Sequence, residues 1–228
     1  MLNIQLVVFD IAGTTVSDKG NVATAFIDAC KKHGYDIAVE EVNKVMGFRK
    51  KEAIKILLEK FNSDQQGDLT EIIEKIHEAF LQNMISFYEN DKDLQPLPHA
   101  EEAFKTLKQN GIRVALNTGF TKAITDTILK RLNWNKNGTI DHVISSDEVP
   151  QGRPHPHMIR AIMDTLKIED VKRVAKVGDT QVDVQEGRNT GCGLVISVTT
   201  GAYTRQELER YDPDFIIDSL KELPALIQ

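Results

Sequence analysis

Cysteine is scarce: the sequence has two, Cys30 and Cys192, far apart in the chain. They are too few and too widely spaced for a zinc site or a disulfide framework, and they read as small buried hydrophobes in a reducing compartment. A basic excess is also lacking. The 28 Lys and Arg stand against 34 Asp and Glu, a net charge of −6, which argues against broad nucleic-acid binding. No apolar stretch approaches the ~20 residues that a membrane span requires, and the first residues lead straight into a strand pattern. The expectation is a soluble, cytoplasmic protein. Repeats and low-complexity tracts are absent too. What is there is ordinary globular material: 228 residues, 41% hydrophobic and 27% charged, enough for one large domain or a core with a smaller insert.

The chain is organised around Gln5-Leu6-Val7-Val8-Phe9-Asp10-Ile11-Ala12-Gly13-Thr14-Thr15. A continuous apolar run of this length suits a strand buried on both faces. It stops at a carboxylate, and an unpaired buried charge costs several kcal/mol, so Asp10 needs a reason to be there. Ligands of parallel α/β sheets bind at the C-terminal ends of strands. Asp10 is therefore the first candidate for chemistry.

Helical periodicity follows. Val22, Ala25, Phe26, Ala29 and Cys30 form one stripe, ended by Gly34; Ile54, Leu57, Leu58 and Phe61 form another; Ile72, Ile76, Phe80, Met84 and Phe87 form a third. No strand pattern is found between Ser17 and Asp93. From Pro98 onward, helices and strands alternate: a helix over Ala100, Ala103, Phe104 and Leu107, strands at 112–116, 142–144, 174–177, 194–198 and 215–217, and helices between them. Pro154 is expected as the first residue of its helix. This alternation predicts a mostly parallel sheet covered on both faces, with an all-helical block inserted after the first strand.

Several strands end in polar residues that could converge: Asp10, Thr118 and Asp179, with Arg153 from the loop before Pro154. The set offers a carboxylate nucleophile, a hydroxyl, a cation and further carboxylates. It lacks a Ser–His pairing at an elbow and a reagent for hydride transfer. Such equipment suits phosphoryl transfer, where a nucleophile is positioned and anionic oxygens are neutralised. Three of these residues, and Asp183 near Asp179, also have a plainer reading. Asp10 and Thr118 fit ordinary strand-end turns, Arg153 a surface cation, and Asp183 a first-turn acid favoured by the helix dipole.

Taken in order, Asp10-Ile11-Ala12-Gly13-Thr14-Thr15, Thr118, Gly152-Arg153-Pro154 and Gly178-Asp179-Thr180 with Asp183 resemble the four motifs of the haloacid dehalogenase superfamily. The details are most similar to its phosphonatase (phosphonoacetaldehyde hydrolase) branch, in which Ala12 and Arg153 replace the usual second aspartate and lysine. The resemblance covers nearly the whole chain. It implies an α/β fold with a Rossmann-like core at 1–15 and 96–228 and a helical cap at 16–95. It also implies that Asp10 is a nucleophile forming an aspartyl-phosphate, and that Asp10, the Ala12 carbonyl and Asp179 hold Mg²⁺, with Asp183 behind them. All-oxygen donors suit that ion. Thr118 and Gly119 would bind phosphoryl oxygens, and Arg153 would fix the nucleophile and phosphoryl charge through its planar fork.

Ala12 cannot donate a proton to a leaving group, whereas a positioned general acid is typically worth ~10²–10⁴ in rate. Carbon–phosphorus cleavage needs an electron sink instead, and a lysine imine on an aldehyde supplies one. Met46-Gly47-Phe48-Arg49-Lys50 resembles the imine-forming segment of that branch. Lys50 would stand at the positive end of its helix, on the stripe of Ile54, Leu57 and Phe61, beside Arg49 and Lys51. Desolvation, the dipole and those cations would lower its pKa. The plainer readings are a solvated basic cluster for Lys50 and a core side chain for Met46. Two positions depart from the branch. Ala53 stands where it has a histidine, and Phe120 where it has an aromatic hydroxyl.

The expected function is Mg²⁺-dependent cleavage of a small phosphonate such as phosphonoacetaldehyde. The alternative is a small phosphomonoester phosphatase of phosphoglycolate type, and a third reading is a non-catalytic binding protein on the same scaffold. Neither nucleic acid nor membrane is expected as a partner, and the oligomeric state is not legible.

Overall fold

A computed structural model describes residues 3–61, 68–136 and 138–227. The apolar run forms β1 (Leu6–Phe9), fully buried along its length. Alternate side chains of a strand point to opposite faces, and here both faces are covered. Val7 and Phe9 enter one hydrophobic cluster, Leu6 and Val8 another.

Among the described residues four helices follow: α1 (Asn21–Lys32), α2 (Val39–Lys44), α3 (Lys50–Phe61) and α4 (Thr70–Asn90). The stripe of α1 is buried as expected, and α4 buries Ile76, Phe80 and Met84, with Ile72 and Phe87 half-buried. On α3, Ile54, Leu57 and Leu58 are buried, but Phe61, the last described residue of the helix, is 45% exposed. The short α2 has no periodic pattern of its own and was not expected. Among the described residues this segment contributes no strand to the sheet. The chain leaves and returns at one point: Val16 bridges Pro96, and Leu97 N donates to Thr15 O at 2.8 Å.

The rest alternates: α5 (Ala100–Gln109), β2 (Arg113–Thr118), α6 (Lys122–Arg131), β3 (His142–Ser145), α7 (His157–Leu166), β4 (Val174–Gly178), α8 (Gln181–Thr190), β5 (Leu194–Val198), α9 (Arg205–Glu209), β6 (Phe215–Ile217) and α10 (Leu223–Ile227). The six strands form a wholly parallel sheet in the order β3-β2-β1-β4-β5-β6, the Rossmann-like α/β architecture expected. In register, Phe9 lies between Leu116 and Val177. The residues that follow these strands therefore emerge together at one edge, where the strand order switches direction. Among the described residues, no helix is long and apolar enough to cross a membrane.

One expected boundary is corrected. Pro154 is not the first residue of a helix: α7 begins at His157, with Pro156 at its N-cap. Pro154 belongs to a turn in which His155 N donates to Gly152 O at 3.0 Å, and this turn carries Arg153 into the interior before the helix starts.

Packing of α5 onto the sheet rests on Phe104, fully buried, with its ring centroid 5.1 Å from that of Phe9 and 5.4 Å from that of Trp134. Phe104→Ala should lower unfolding stability by ~3–5 kcal/mol in a urea titration. A loss under ~1 kcal/mol would contradict this packing.

Candidate active site

Asp10 follows β1, and its backbone N donates to Val177 O at 2.9 Å, so the carboxylate is set between two strand ends. Its Oδ1 accepts from Arg153 Nη2 at 2.5 Å. The guanidinium is wholly buried and forked: Nη1 donates to Asp183 Oδ1 at 2.6 Å, and Nη2 also donates to Asn117 O at 3.1 Å. Arg153 Nε has no hydrogen-bond partner among the described residues and lies 3.9 Å from Glu186 Oε2. Beneath this fork lies a second cation, Lys176, whose Nζ reaches Asn117 Oδ1 at 2.7 Å and Asp183 Oδ1 at 2.9 Å. Asn117 Nδ2 in turn donates to both oxygens of Glu186, at 2.9 and 2.8 Å.

Asp179 follows β4. Thr14 Oγ1 donates to its Oδ1 at 3.0 Å and Ala202 N to its Oδ2 at 2.7 Å. No cation pairs with it among the described residues. The backbone is pressed close around this side chain. A Cβ on Gly201 would lie 1.8 Å from Asp179 Oδ2, so only glycine fits there.

Electrostatics follow from this placement. Burial pushes Asp179 well above the usual carboxylate range, and the charges of Asp10 and Asp183 push it further. Burial also raises Asp10, with Arg153 as the main opposing influence. Asp183 is buried as well, but Arg153 and Lys176 outweigh the burial and hold it below its usual value. Among the described residues, four buried carboxylates (Asp10, Asp179, Asp183 and Glu186) thus face three buried cations, Arg153 and Lys176 within the network and Lys50 across the cleft.

Lys50 is the first residue of α3, and only 3% of it is exposed. Its Nζ lies 5.4 Å from the centre of the Phe120 ring and 5.7 Å from that of Phe80. Burial, then the charge of Arg153, lowers its pKa to about 8. The depressing cation is thus Arg153, across the cleft, rather than the expected Arg49 and Lys51, which are partly exposed on the surface. The Met46–Lys50 segment is seated on the sheet edge by close contact. A Cβ on Gly119 would lie 2.5 Å from the carbonyl oxygens of Gly47 and Phe48, and one on Gly47 would lie 2.7 Å from Thr180 Oγ1. Gly47 also has a φ of 81°, which favours glycine. Arg49 extends the contact, donating from Nη1 to Pro150 O at 3.1 Å.

Of the residues expected from sequence, Asp10, Ala12, Met46, Lys50, Thr118, Gly119 and Asp179 line one cavity. Arg153 and Asp183 lie directly behind Asp10 and are not part of its wall. Thr118 Oγ1 accepts from Phe120 N at 3.1 Å. The sequence reading missed Asp18, which lines the same cavity, and the buried Asn117, Lys176 and Glu186. A lysine inside the apolar strand Val-Ala-Lys-Val-Gly was a usable sign of a buried ion network.

Comparison with known proteins agrees with this geometry. The family model of haloacid dehalogenase-like hydrolases matches residues 4–191. A phosphonoacetaldehyde hydrolase of Bacillus cereus is 31% identical over 223 residues, covering 92% of this chain and 83% of that protein. A bifunctional phosphonoacetaldehyde hydrolase/aminoethylphosphonate transaminase of Clostridioides difficile is 32% identical over 224 residues, or 92% of this chain; the match spans 34% of that longer protein. Among solved structures, a phosphonoacetaldehyde hydrolase-like protein from Oleispira antarctica superposes with a TM-score of 0.85 at 22% identity, covering 99% of this chain and 91% of that one. One described as a predicted phosphoglycolate phosphatase from Haemophilus somnus gives 0.79 at 18% identity, covering 100% of both chains. At these identities the structural likeness shows the fold.

Burial of Lys50 has a consequence for stability. Its pKa falls from the ordinary 10.5 to about 8, so between those values the unfolded chain binds more protons than the folded one. Stability against urea should therefore gain a rising contribution with pH across that window. Lys50→Met should remove the contribution, and an unchanged pH profile in that variant would contradict the burial of a titrating amine.

Proposed function

Given that the chain belongs to the haloacid dehalogenase-like hydrolase family, we propose that it cleaves the carbon–phosphorus bond of a small phosphonate aldehyde, phosphonoacetaldehyde or a close analogue. One observation carries the reading. A buried amine with a lowered pKa, Lys50, shares a cavity with the Asp10 carboxylate, while Ala12 occupies the place where an acid would serve ester hydrolysis. The relatives named phosphonoacetaldehyde hydrolase support it.

In this mechanism the Lys50 amine adds to the aldehyde carbon and water leaves, giving an iminium. Arg153 holds Asp10 Oδ1, and the other oxygen of the carboxylate attacks phosphorus. The carbon–phosphorus bond breaks, its electron pair moves into the iminium to form an enamine, and Asp10 carries the phosphoryl group until water releases it. Thr118 and the Gly119 backbone contact the phosphoryl oxygens. The fixed guanidinium keeps Asp10 oriented and spreads positive charge behind the reacting atoms.

Mg²⁺ fits this donor set. Asp10, Asp179 and the Ala12 carbonyl are oxygen ligands of the kind the ion takes, and Asp179, which pairs with no cation among the described residues, is the carboxylate such an ion would serve. When bound, the ion would reduce repulsion between an anionic substrate and the carboxylates and polarise the phosphoryl oxygens.

The cavity holds about 30 Å³ of free space, little room for a substrate, so in this reading the helical segment 16–95 acts as a cap that opens for substrate and closes to bring Lys50 to Asp10. The close seating of Gly47 on Gly119 and Thr180 is then the closed state.

With phosphonoacetaldehyde and Mg²⁺, the protein should release phosphate, and borohydride added during turnover should inactivate it with a two-carbon adduct on Lys50. Lys50→Ala should lose ~10³-fold or more of this activity, as expected when covalent catalysis is removed. Phosphonate turnover by that variant at the parent rate would overturn the imine route and favour a phosphomonoesterase.

A further inference from the structure

Four ionisable side chains line the cavity: Asp10, Asp18, Lys50 and Asp179. The mechanism above uses three of them and leaves Asp18 without a task. Asp18 lies on the loop between β1 and α1, and its Oδ1 accepts from the backbone N of Asn21 at 2.8 Å and of Val22 at 3.2 Å. These two bonds fix the carboxylate at the start of α1 with its face on the cavity. Burial raises its pKa, opposed by those amides and by the charge of Lys50. The Asp18 charge acts back on Lys50, in the sense that favours the ammonium. The two groups thus feel each other across the cavity.

Lys50 needs an acid or base for the proton transfers of imine chemistry, and two cavity carboxylates act on it, Asp10 ahead of Asp18. Its nearest rings, Phe120 and Phe80, cannot exchange protons, and Ala53, one turn along α3, carries no polar group. Tyr88 on α4 packs edge-on to Phe120, 6.1 Å between centroids. Its phenol is held protonated by burial and by the charges of Asp18, Asp10 and Asp91. Asp10 is committed to Arg153.

We propose that Asp18 is the acid–base group for imine formation at Lys50. It takes a proton from the Lys50 ammonium, directly or through one water, and the freed amine forms the carbon–nitrogen bond. After the nitrogen proton passes to the carbonyl oxygen, the Asp18 proton joins the hydroxyl group of the adduct, which departs as water while the nitrogen lone pair closes the carbon–nitrogen double bond. The sum is ammonium plus aldehyde giving iminium plus water, with Asp18 returned to the carboxylate. This assignment rests on the phosphonate reading, and it gives the loop after β1 a chemical role beyond capping α1.

Asp18→Asn separates the two roles, because the amide oxygen can still accept from Asn21 N and Val22 N but cannot carry the proton. The experiment measures borohydride trapping of Lys50 with phosphonoacetaldehyde, alongside steady-state kinetics and thermal unfolding. Asp18→Asn should slow trapping and kcat by ~10²-fold or more with KM little changed and the fold intact. In Asp18→Ala, added formate should restore trapping several-fold by supplying a small carboxylate. Trapping in Asp18→Asn within about threefold of the parent, or no rescue by formate, would leave Asp18 as a helix cap and overturn the proposal while the imine reading stands. No trapped adduct in the parent protein would overturn the imine reading, and this role with it.

Discussion

The site depends on one buried guanidinium. Arg153 joins Asp10 on one strand end to Asp183 at the start of α8 and to the Asn117 carbonyl at the end of β2. The cost of burying these charges is high, and it is met by the fork geometry together with Lys176, Asn117 and Thr180 around it. Removing one member of such a network typically costs ~3–5 kcal/mol because it strands the opposite charge. The same bonds that stabilise the interior therefore hold the Asp10 carboxylate in one orientation, with its second oxygen outside the fork. Asp179 sits outside the fork, with only a hydroxyl and an amide as donors among the described residues.

A second constraint is steric. Gly47 meets Thr180 and Val182, Gly119 meets the carbonyls of Gly47 and Phe48, and Gly152 meets Arg49, each at a distance that a side chain would forbid. Glycines on both sides of the cleft let the segment before α3 settle against three separate strand-end loops. Lys50 is the first helical residue after that segment, so the seating decides where its amine points. Its low pKa then follows from being pressed between Phe80, Phe120 and the positive fork below, without any need for neighbouring surface lysines.

Much of this was legible in the sequence, for physical reasons that differ from residue to residue. The strand β1 announced itself because both of its faces are buried, and β5 and β6 lie where they were expected. Asp10, Thr118 and Asp179 could be placed together because parallel strands deliver their ends to one edge. The helical stripes predicted burial well in mid-helix and failed at Phe61, at the edge of the described part of α3. Pro154 misled because a proline fits a turn as readily as a first helical residue, and here the turn is needed to bury Arg153. Asp18 escaped notice because an acid before a helix reads as a cap. Its second property, a face on the cavity that Lys50 also lines, depends on tertiary packing that no local pattern encodes.

The central claim is that Asp10, fixed by Arg153, becomes the phosphoryl carrier. Rapid acid quenching during phosphonoacetaldehyde turnover, followed by peptide mass measurement, tests it most directly. The account predicts one phosphoryl group on the peptide containing Asp10 and none in Asp10→Asn. Turnover with no phosphorylated aspartate at any quench time, or with the phosphoryl group on another residue, would contradict it.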